Sequence, residues 1–463
     1  MSRVCVVRSS MMLFSALLFS AILFSAPATF AVEKPDFQQR DAELEAQIPP
    51  KWRPAFEAVY ETLDENLKAP DSKNPFWHVH PSPKYQAVYL WDSAFISQIW
   101  LRRDRRIAKD VIRSVLHLQL PDGRIPHMVS IFETSDLTQP PVLSWAAARI
   151  ANESSDSLFA TKVYSGLRSY HRWLYRNRHL KNGMFFWKHP YESGIDNSPR
   201  FGARDESYYI DTTSMAAIDI SSYMVVDSES LVSLVDLILK RTDISEARRA
   251  KLTADRAVYV KQGEDLRTLV QTTLWDEKTG YFYDRFSKDG KFLNIPTIAS
   301  FFPLFAGIAT HDQAVRLMEH LRNPREFNTL IPLVTVARNS KKFEKDCWRG
   351  PIWINTAYMV IQGLKRYDQP ELAKYFSRKL VEGVYGTWEN TGKFVEFYDP
   401  DRYDFKELTR KKGTGPFGLS ASSDPIEVIM HLVAKQWFLG PKPVDHFVGW
   451  TGLVNNLALD EVN

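Results

Sequence analysis

Carboxylates set among aromatic rings and rigid turns are the groups in this sequence best suited to chemistry, and they fall in five segments. The first runs Asn74-Pro-Phe-Trp-His-Val-His80 and continues to Tyr89-Leu-Trp-Asp-Ser-Ala-Phe95. Asp92, beside Trp91 at a helix entrance, either caps the helix or accepts hydrogen bonds from sugar hydroxyls while the indole packs on an apolar sugar face. In the second, Gln139 precedes Pro140-Pro141, which fixes the backbone; that suits an amide held in one orientation, and equally a plain rigid turn. The third, His189-Pro-Tyr-Glu-Ser-Gly-Ile-Asp-Asn-Ser-Pro-Arg200, places Glu192 and Asp196 in a Gly- and Pro-shaped loop next to Trp187 and Tyr191. Aromatic surroundings favour the protonated form of a carboxyl, which can then donate to a leaving oxygen. An acidic turn or a structural calcium loop are the competing readings. Asp205, Glu206 and Asp211 keep calcium open, although no spacing matches an EF-hand.

The fourth segment, Cys347-Trp-Arg-Gly-Pro-Ile-Trp-Ile-Asn355, gathers Trp348, Arg349, Trp353 and Asn355 about a Gly-Pro corner as an aromatic wall with a cation and an amide. Arg349 would hold a sugar hydroxyl or a substrate carboxylate, or pair with a protein acid. The fifth, Lys393-Phe-Val-Glu-Phe-Tyr-Asp399, flanks Glu396 with aromatics. Pointing outward, Glu396 is a solvated strand residue; pointing inward, it is a candidate base.

The elements that must position these groups read as helices throughout. Apolar residues recur at helical spacing over Gln38 to Leu67 (broken by Pro49-Pro50), Ala87 to Leu101, Ile107 to Leu120, Leu143 to Asn152 and Leu158 to His179. The pattern continues over Thr212 to Val226, Ser228 to Arg241, Ile244 to Leu274, Thr310 to Leu321, Ile352 to Lys365, Gln369 to Val384 and Asp424 to Gln436. Helix pairs alternate with loops rich in Trp, Gly, Pro and acids, without the β-α alternation and Gly-rich turn of a nucleotide-binding sheet. Such a chain can close its helices into a ring, with long loops making a pocket at one end. No short motif recurs at fixed spacing, which argues against a solenoid. No low-complexity linker divides the chain, so one domain is expected over residues 32–463, with an irregular excursion at Leu321 to Asp346.

Composition narrows the class. The 463 residues carry 59 Lys and Arg against 55 Asp and Glu, a balance that gives no reason to expect nucleic acid as a partner. The clusters Arg102-Arg103-Asp104-Arg105-Arg106 and Arg410-Lys411-Lys412 read as solvated faces. The 13 Trp, 19 Tyr and 28 Phe suit a carbohydrate site as well as a large core. Residues 1–31 combine Arg3 and Arg8, an apolar run from Met11 to Phe24 and Ala-Pro-Ala-Thr-Phe-Ala at its end. This is the layout of a cleaved secretory signal, its apolar run short for a membrane span, so an exported protein without stable membrane insertion after processing is expected, with an uncleaved anchor as the alternative. Cys347 alone then remains, which excludes an internal disulfide, and no metal-ligand motif is present. No cofactor is expected, with a structural calcium ion as the alternative. The oligomeric state is not legible.

Taken in order, Tyr89-Leu-Trp-Asp92, Gln139-Pro-Pro141, Glu192-Ser-Gly-Ile-Asp-Asn-Ser-Pro-Arg200, Trp348-Arg-Gly-Pro-Ile-Trp-Ile-Asn355 and Glu396-Phe-Tyr398 resemble the clan of (α/α)6 glycosidases. That clan contains trehalases, processing α-glucosidase I and the mannosylglycerate and glucosylglycerate hydrolases of glycoside hydrolase family 63. The resemblance spans about Asn74 to Gln436. It implies an all-α (α/α)6 toroid and an inverting hydrolase of a small α-glucoside or α-mannoside. By it, Asp196 matches the general acid and Glu396 the general base, while Trp91, Asp92, Gln139, Glu192, Trp348, Arg349, Trp353 and Asn355 match residues that shape or bind the sugar pocket. The chain departs from the pattern at Phe201-Gly202, Asp399-Pro-Asp-Arg-Tyr403 and Leu419, changes that bear on the aglycone side and on substrate identity. A trehalase-like enzyme and a carbohydrate-binding protein without turnover are the alternatives. Loss of either carboxylate would leave a binding protein unaffected.

Overall fold

Helix α3 (Leu90–Arg103) shows how the sequence separates inside from outside: every residue except Arg102 is buried, while α4 (Arg105–His117) buries only the stripe Ile107, Ala108, Val111, Ile112, Ser114 and Val115. An element apolar all round belongs inside a layer, and one with a single apolar stripe covers it. The computed structural model describes residues 34–202, 211–410 and 442–462, and from Asp36 onward they form one compact unit. The sequence readings for residues 1–31, Asp205, Glu206, Leu419 and Asp424 to Gln436 lie outside the described residues.

The alternation seen in α3 and α4 repeats around the molecule. The inner helices are α3, α5 (Leu143–Glu153), α7 (Ile218–Leu239), α9 (Phe302–Phe305), α11 (Ile354–Arg366) and α13 (Leu453–Val462). Each packs against the next, and α13 packs against α3, closing the ring. The outer helices are α2 (Arg53–Asn66), α4, α6 (Ser157–Asn177), α8 (Glu246–Thr273), α10 (His311–Arg322) and α12 (Pro370–Thr391), with α1 (Gln38–Glu45) beside α2 and α3. The architecture is the expected (α/α)6 toroid, with four antiparallel pairs of two-residue strands added in the loops among the described residues.

Connection lengths give the ring two unlike ends. Chain leaving an inner helix turns at once: Asp104 alone joins α3 to α4 and caps α4 through the N–H groups of Arg106 and Ile107. Asp156, Ser245 and Thr310 cap α6, α8 and α10 in the same way. Among the described residues, chain entering an inner helix instead travels through 67–89, 118–142, 178–202 and 211–217, 274–301, 323–353, and 392–410 and 442–452. The long segments therefore gather where six inner helices begin. The positive ends of those helix dipoles point there, an environment that favours negative groups.

Two expectations need correction. The break proposed between Val226 and Ser228 does not exist, because Asp227 is satisfied within one continuous helix by the Ser144 hydroxyl and by His171 Nδ1 at 2.6 Å. Helix α13 carries no signal that was read from sequence. Arg103 is not part of a solvated face: its guanidinium grips Asp41 and Asp64, stands 4.4 Å from the centroid of Phe37 and 4.7 Å from that of Tyr60, and ties α1 and α2 to the inner ring. Desolvated planar cations are stabilised by bidentate carboxylates and ring faces together.

Candidate active site

The loop 189–202 that leads toward α7 is built to expose one carboxyl. From Glu192 to Phe201 every residue is buried except Asp196, which is half-buried. Glu192, four residues earlier, is fully enclosed. Arg178 Nε donates to its Oε2 at 2.7 Å and Arg178 Nη2 to its Oε1, while the backbone N–H groups of Lys188 and Thr138 donate to the same two oxygens. No surface is left for a ligand, so Glu192 is a strut of the loop and not the substrate-binding residue expected from sequence. At the far end of the loop, Arg200 is buried between Asp219 at the start of α7 and Asp284, with bonds of 2.8 and 2.6 Å.

Between these anchors Asn197 is clamped on three sides. Its Nδ2 donates to Asp346 Oδ2 at 3.0 Å, its Oδ1 accepts from the Trp348 N–H at 2.9 Å, and its carbonyl accepts from Arg349 Nη1 at 3.3 Å. Arg349 Nε meanwhile donates to Glu344 at 2.9 Å. Arg349 therefore pairs with protein groups, and its guanidinium holds the loop through the Asn197 carbonyl.

Glu396 lies inward, 2% exposed. Its Oε1 accepts from Arg410 Nε at 2.8 Å and from the Val444 N–H at 3.2 Å; its Oε2 accepts from the Tyr85 hydroxyl at 2.9 Å. Arg410 Nη2 also donates to Tyr85 at 2.7 Å. Arg410 is thus a half-buried partner of the candidate base, which overturns its reading as solvated surface. A carboxylate offers about four lone-pair directions, and three are used among the described residues, leaving one on Oε2.

Asp92 connects the two regions. It is 3% exposed, and burial, then the charges of Glu396 and Asp196, push its carboxyl well above the usual range. Asp92 feels both other carboxylates, so three groups spread over three hundred residues of sequence converge at the same end of the ring. Burial and those two charges favour the protonated form, the one that can donate as well as accept a hydrogen bond. Gln139 stands beside it, its Oε1 accepting from the Trp91 N–H at 3.2 Å and its carbonyl from Tyr170, so the amide is fixed as the proline pair suggested.

The aromatic wall is a closed cluster. Trp348 and Trp353 stack at 3.7 Å with 9° between planes, and Phe397 stacks on Trp353 at 4.8 Å. Trp450 packs 5.6 Å from Trp91 and 5.4 Å from Trp353. With rings stacked against it in this way, Trp353 shapes the wall. Asn355 is fully buried, with Oδ1 accepting from the Thr356 N–H at the start of α11. Trp91 and Trp348 line the same cluster, their rings 6.1 Å apart.

Sequence reasoning missed Tyr85, Asn197, Asp346, Arg410 and Trp450. Asn197 alone carried a signal, as the residue following Asp196 in the recognised motif. The others reach the site only through tertiary contacts. Among the described residues no group of three or more His, Cys, Asp or Glu is arranged to hold a metal ion, and Asp211 is used as a cap of the turn Thr212–Ser214.

A helical toroid with carboxylates gathered at its long-loop end is the arrangement of the (α/α)6 glycoside hydrolases. Residues 85–410 match the mannosylglycerate hydrolase MGH1-like glycoside hydrolase domain, and the chain belongs to that family. It is 26% identical to a mannosylglycerate hydrolase of Thermus thermophilus over 68% of this chain and 89% of that one. Identity to mannosylglycerate hydrolase MGH1 of Selaginella moellendorffii is 27%, over 68% and 76%. In fold it resembles the crystal structure of a GH63 mannosylglycerate hydrolase from Thermus thermophilus in complex with Tris and D-glycerate, with TM-score 0.62 and 22% identity over 81% of this chain and 98% of that one. The neutral trehalase Nth1 of Saccharomyces cerevisiae shares the fold at TM-score 0.57 and 15% identity, over 82% and 81%.

Proposed function

We propose that this glycoside hydrolase cleaves a small α-glucoside or α-mannoside with inversion, Asp196 acting as general acid and Glu396 as general base. The reading is supported by two unlike carboxyls whose charges both act on Asp92. Asp196 is the half-buried residue of a rigid, buried loop, and Glu396 is an enclosed acceptor with one lone pair to spare.

The chemistry then balances in one step. Asp196 gives its proton to the glycosidic oxygen as the bond to the anomeric carbon breaks. A water molecule, hydrogen-bonded to Glu396 Oε2, attacks that carbon from the other face and loses its proton to the glutamate. An inverting pair must leave room for this water, which requires about 6.5–9.5 Å between carboxyls. Asp92 and Gln139, fixed beside Trp91, are suited to the hydroxyls of the sugar in the innermost position. The relatives named for mannosylglycerate favour an aglycone that is a small hydroxy acid such as glycerate. We further read the enzyme as exported, on the strength of the Met11–Phe24 run and its flanks in the sequence.

Incubation of the purified protein with mannosyl- and glucosylglycerate, trehalose and short α-linked oligosaccharides tests the reading. Hydrolysis of one compound, reduced at least a thousandfold in both Asp196→Asn and Glu396→Gln, is expected. Turnover surviving in either variant would remove that residue from its role.

A further inference from the structure

The two arms of the site are fastened to each other through a side chain that touches neither reacting group. Asp346 is 1% exposed. Its Oδ2 accepts from Nδ2 of Asn197, the residue after the proposed acid, at 3.0 Å. Its Oδ1 accepts from the hydroxyl of Thr409, the residue before Arg410, at 2.6 Å. Arg410 in turn holds Glu396 Oε1 and Tyr85. The backbone reinforces the Thr409 side: 346 and 409 form a parallel bridge, with Cys347 N–H donating to the Thr409 carbonyl and Thr409 N–H to the Lys345 carbonyl, both at 3.0 Å. Among the described residues no comparable backbone ladder joins the Asn197 side, where the link runs through the Asn197 amide and carbonyl.

We propose that Asp346 is the positioning residue that sets the separation of the acid from the base, by fixing Asn197 with one carboxylate oxygen and Thr409 with the other. The inference rests on the assignment of Asp196 and Glu396 given above. An inverting reaction is sensitive to this separation, because one arm must reach the leaving oxygen while the other holds a water on the far face. A displacement of about 1 Å at such a site costs on the order of a hundredfold in rate. The two links act on different arms, so cutting them separately should produce different kinetic signatures. Freeing Asn197 misplaces the acid and is felt where the leaving group needs a proton. Freeing Thr409 misplaces Arg410 and hence Glu396, and is felt whatever the leaving group.

The test uses the full-length protein with its best natural glycoside and with the α-glycosyl fluoride of the same sugar, whose fluoride departs without full protonation. Asn197→Ser is expected to lower kcat on the glycoside about 10- to 100-fold while leaving the fluoride within about threefold of wild type. Thr409→Val is expected to lower kcat on both substrates by similar factors, with KM little changed, and Thr409→Ser, which restores the hydroxyl, to recover most of the loss. Asp346→Asn should combine both defects. Wild-type kcat in Asn197→Ser or Thr409→Val would overturn the proposal. So would equal losses on both substrates in Asn197→Ser, or a Thr409→Val defect that tracks its melting temperature and is not recovered by serine. Full activity in Asp196→Asn or Glu396→Gln would instead refute the acid and base assignment itself, an outcome read from different variants.

Discussion

Replacing Gly194 by alanine would load two separate costs onto the loop that carries Asp196. Gly194 has φ +71, and a Cβ built on it would lie 2.4 to 2.7 Å from three atoms of the Trp91 indole. The left-handed backbone alone costs an L-residue about 1–2 kcal/mol. The steric part depends on whether the ring can retreat, and it cannot do so freely, because Trp91 is packed against Phe95, Trp348 and Trp450. Overpacking of that kind costs roughly 1–3 kcal/mol, giving a total of about 2–5 kcal/mol. Gly392 supplies the control: its φ is +68, at the end of α12, and its added Cβ would meet nothing within 4 Å, so Gly392→Ala carries the backbone cost alone. Urea unfolding of both variants should place Gly194→Ala clearly below Gly392→Ala in midpoint, and only the former should lose kcat, because the loop moves Asp196 to relieve the clash. Equal destabilisation in the two variants would refute the claim that the acid loop is seated directly on Trp91.

Other consequences are equally open to measurement. Asp445, bonded by Lys393 and Lys84, overcomes a burial cost and has its pKa lowered to about 2. A carboxyl depressed in the folded state stabilises above its unfolded pKa and loses that contribution as pH falls toward the folded value. Asp445→Asn should therefore be less stable by about 1 kcal/mol at pH 7, a figure discounted for the exposed lysines, with the difference vanishing near pH 2 in thermal melts. For Asp92 the sign is opposite: burial raises its pKa, so the folded protein keeps a proton the unfolded chain has released, and stability falls as pH rises above the ordinary carboxylate range. Asp92→Asn should flatten that decline while weakening substrate binding, seen as a raised KM. Tyr85→Phe removes the donor on Glu396 Oε2, and kcat should fall about tenfold with the melting temperature little changed.

Much of the fold was readable because it depends on local signals. The period of α3 and α4 and the Pro- and aromatic-containing segments before the inner helices are sequence features. The misreadings have one physical source, the pairing of polar groups across long separations. Asp227 looked like a helix break until Ser144 and His171 are seen to satisfy it. Arg103 and Arg410 looked solvated because charge runs are usually exposed, and only the folded chain brings Asp41, Asp64 and Glu396 to them. Glu192 and Asp196 are chemically alike in the same turn. What separates them is Arg178, at the end of α6, which encloses one and leaves the other half-exposed. Asp346 and Tyr85 carried no motif, since their roles exist only through partners such as Thr409 and Glu396.

The most direct measurement of the central claim is the anomeric form of the sugar first released, followed by proton NMR before mutarotation, on whichever α-glycoside the protein cleaves. Attack by a water held on Glu396, opposite a leaving oxygen protonated by Asp196, predicts the β-anomer first. Initial release of the α-anomer would contradict the account, because it requires a nucleophile on the enzyme where the present reading has a water.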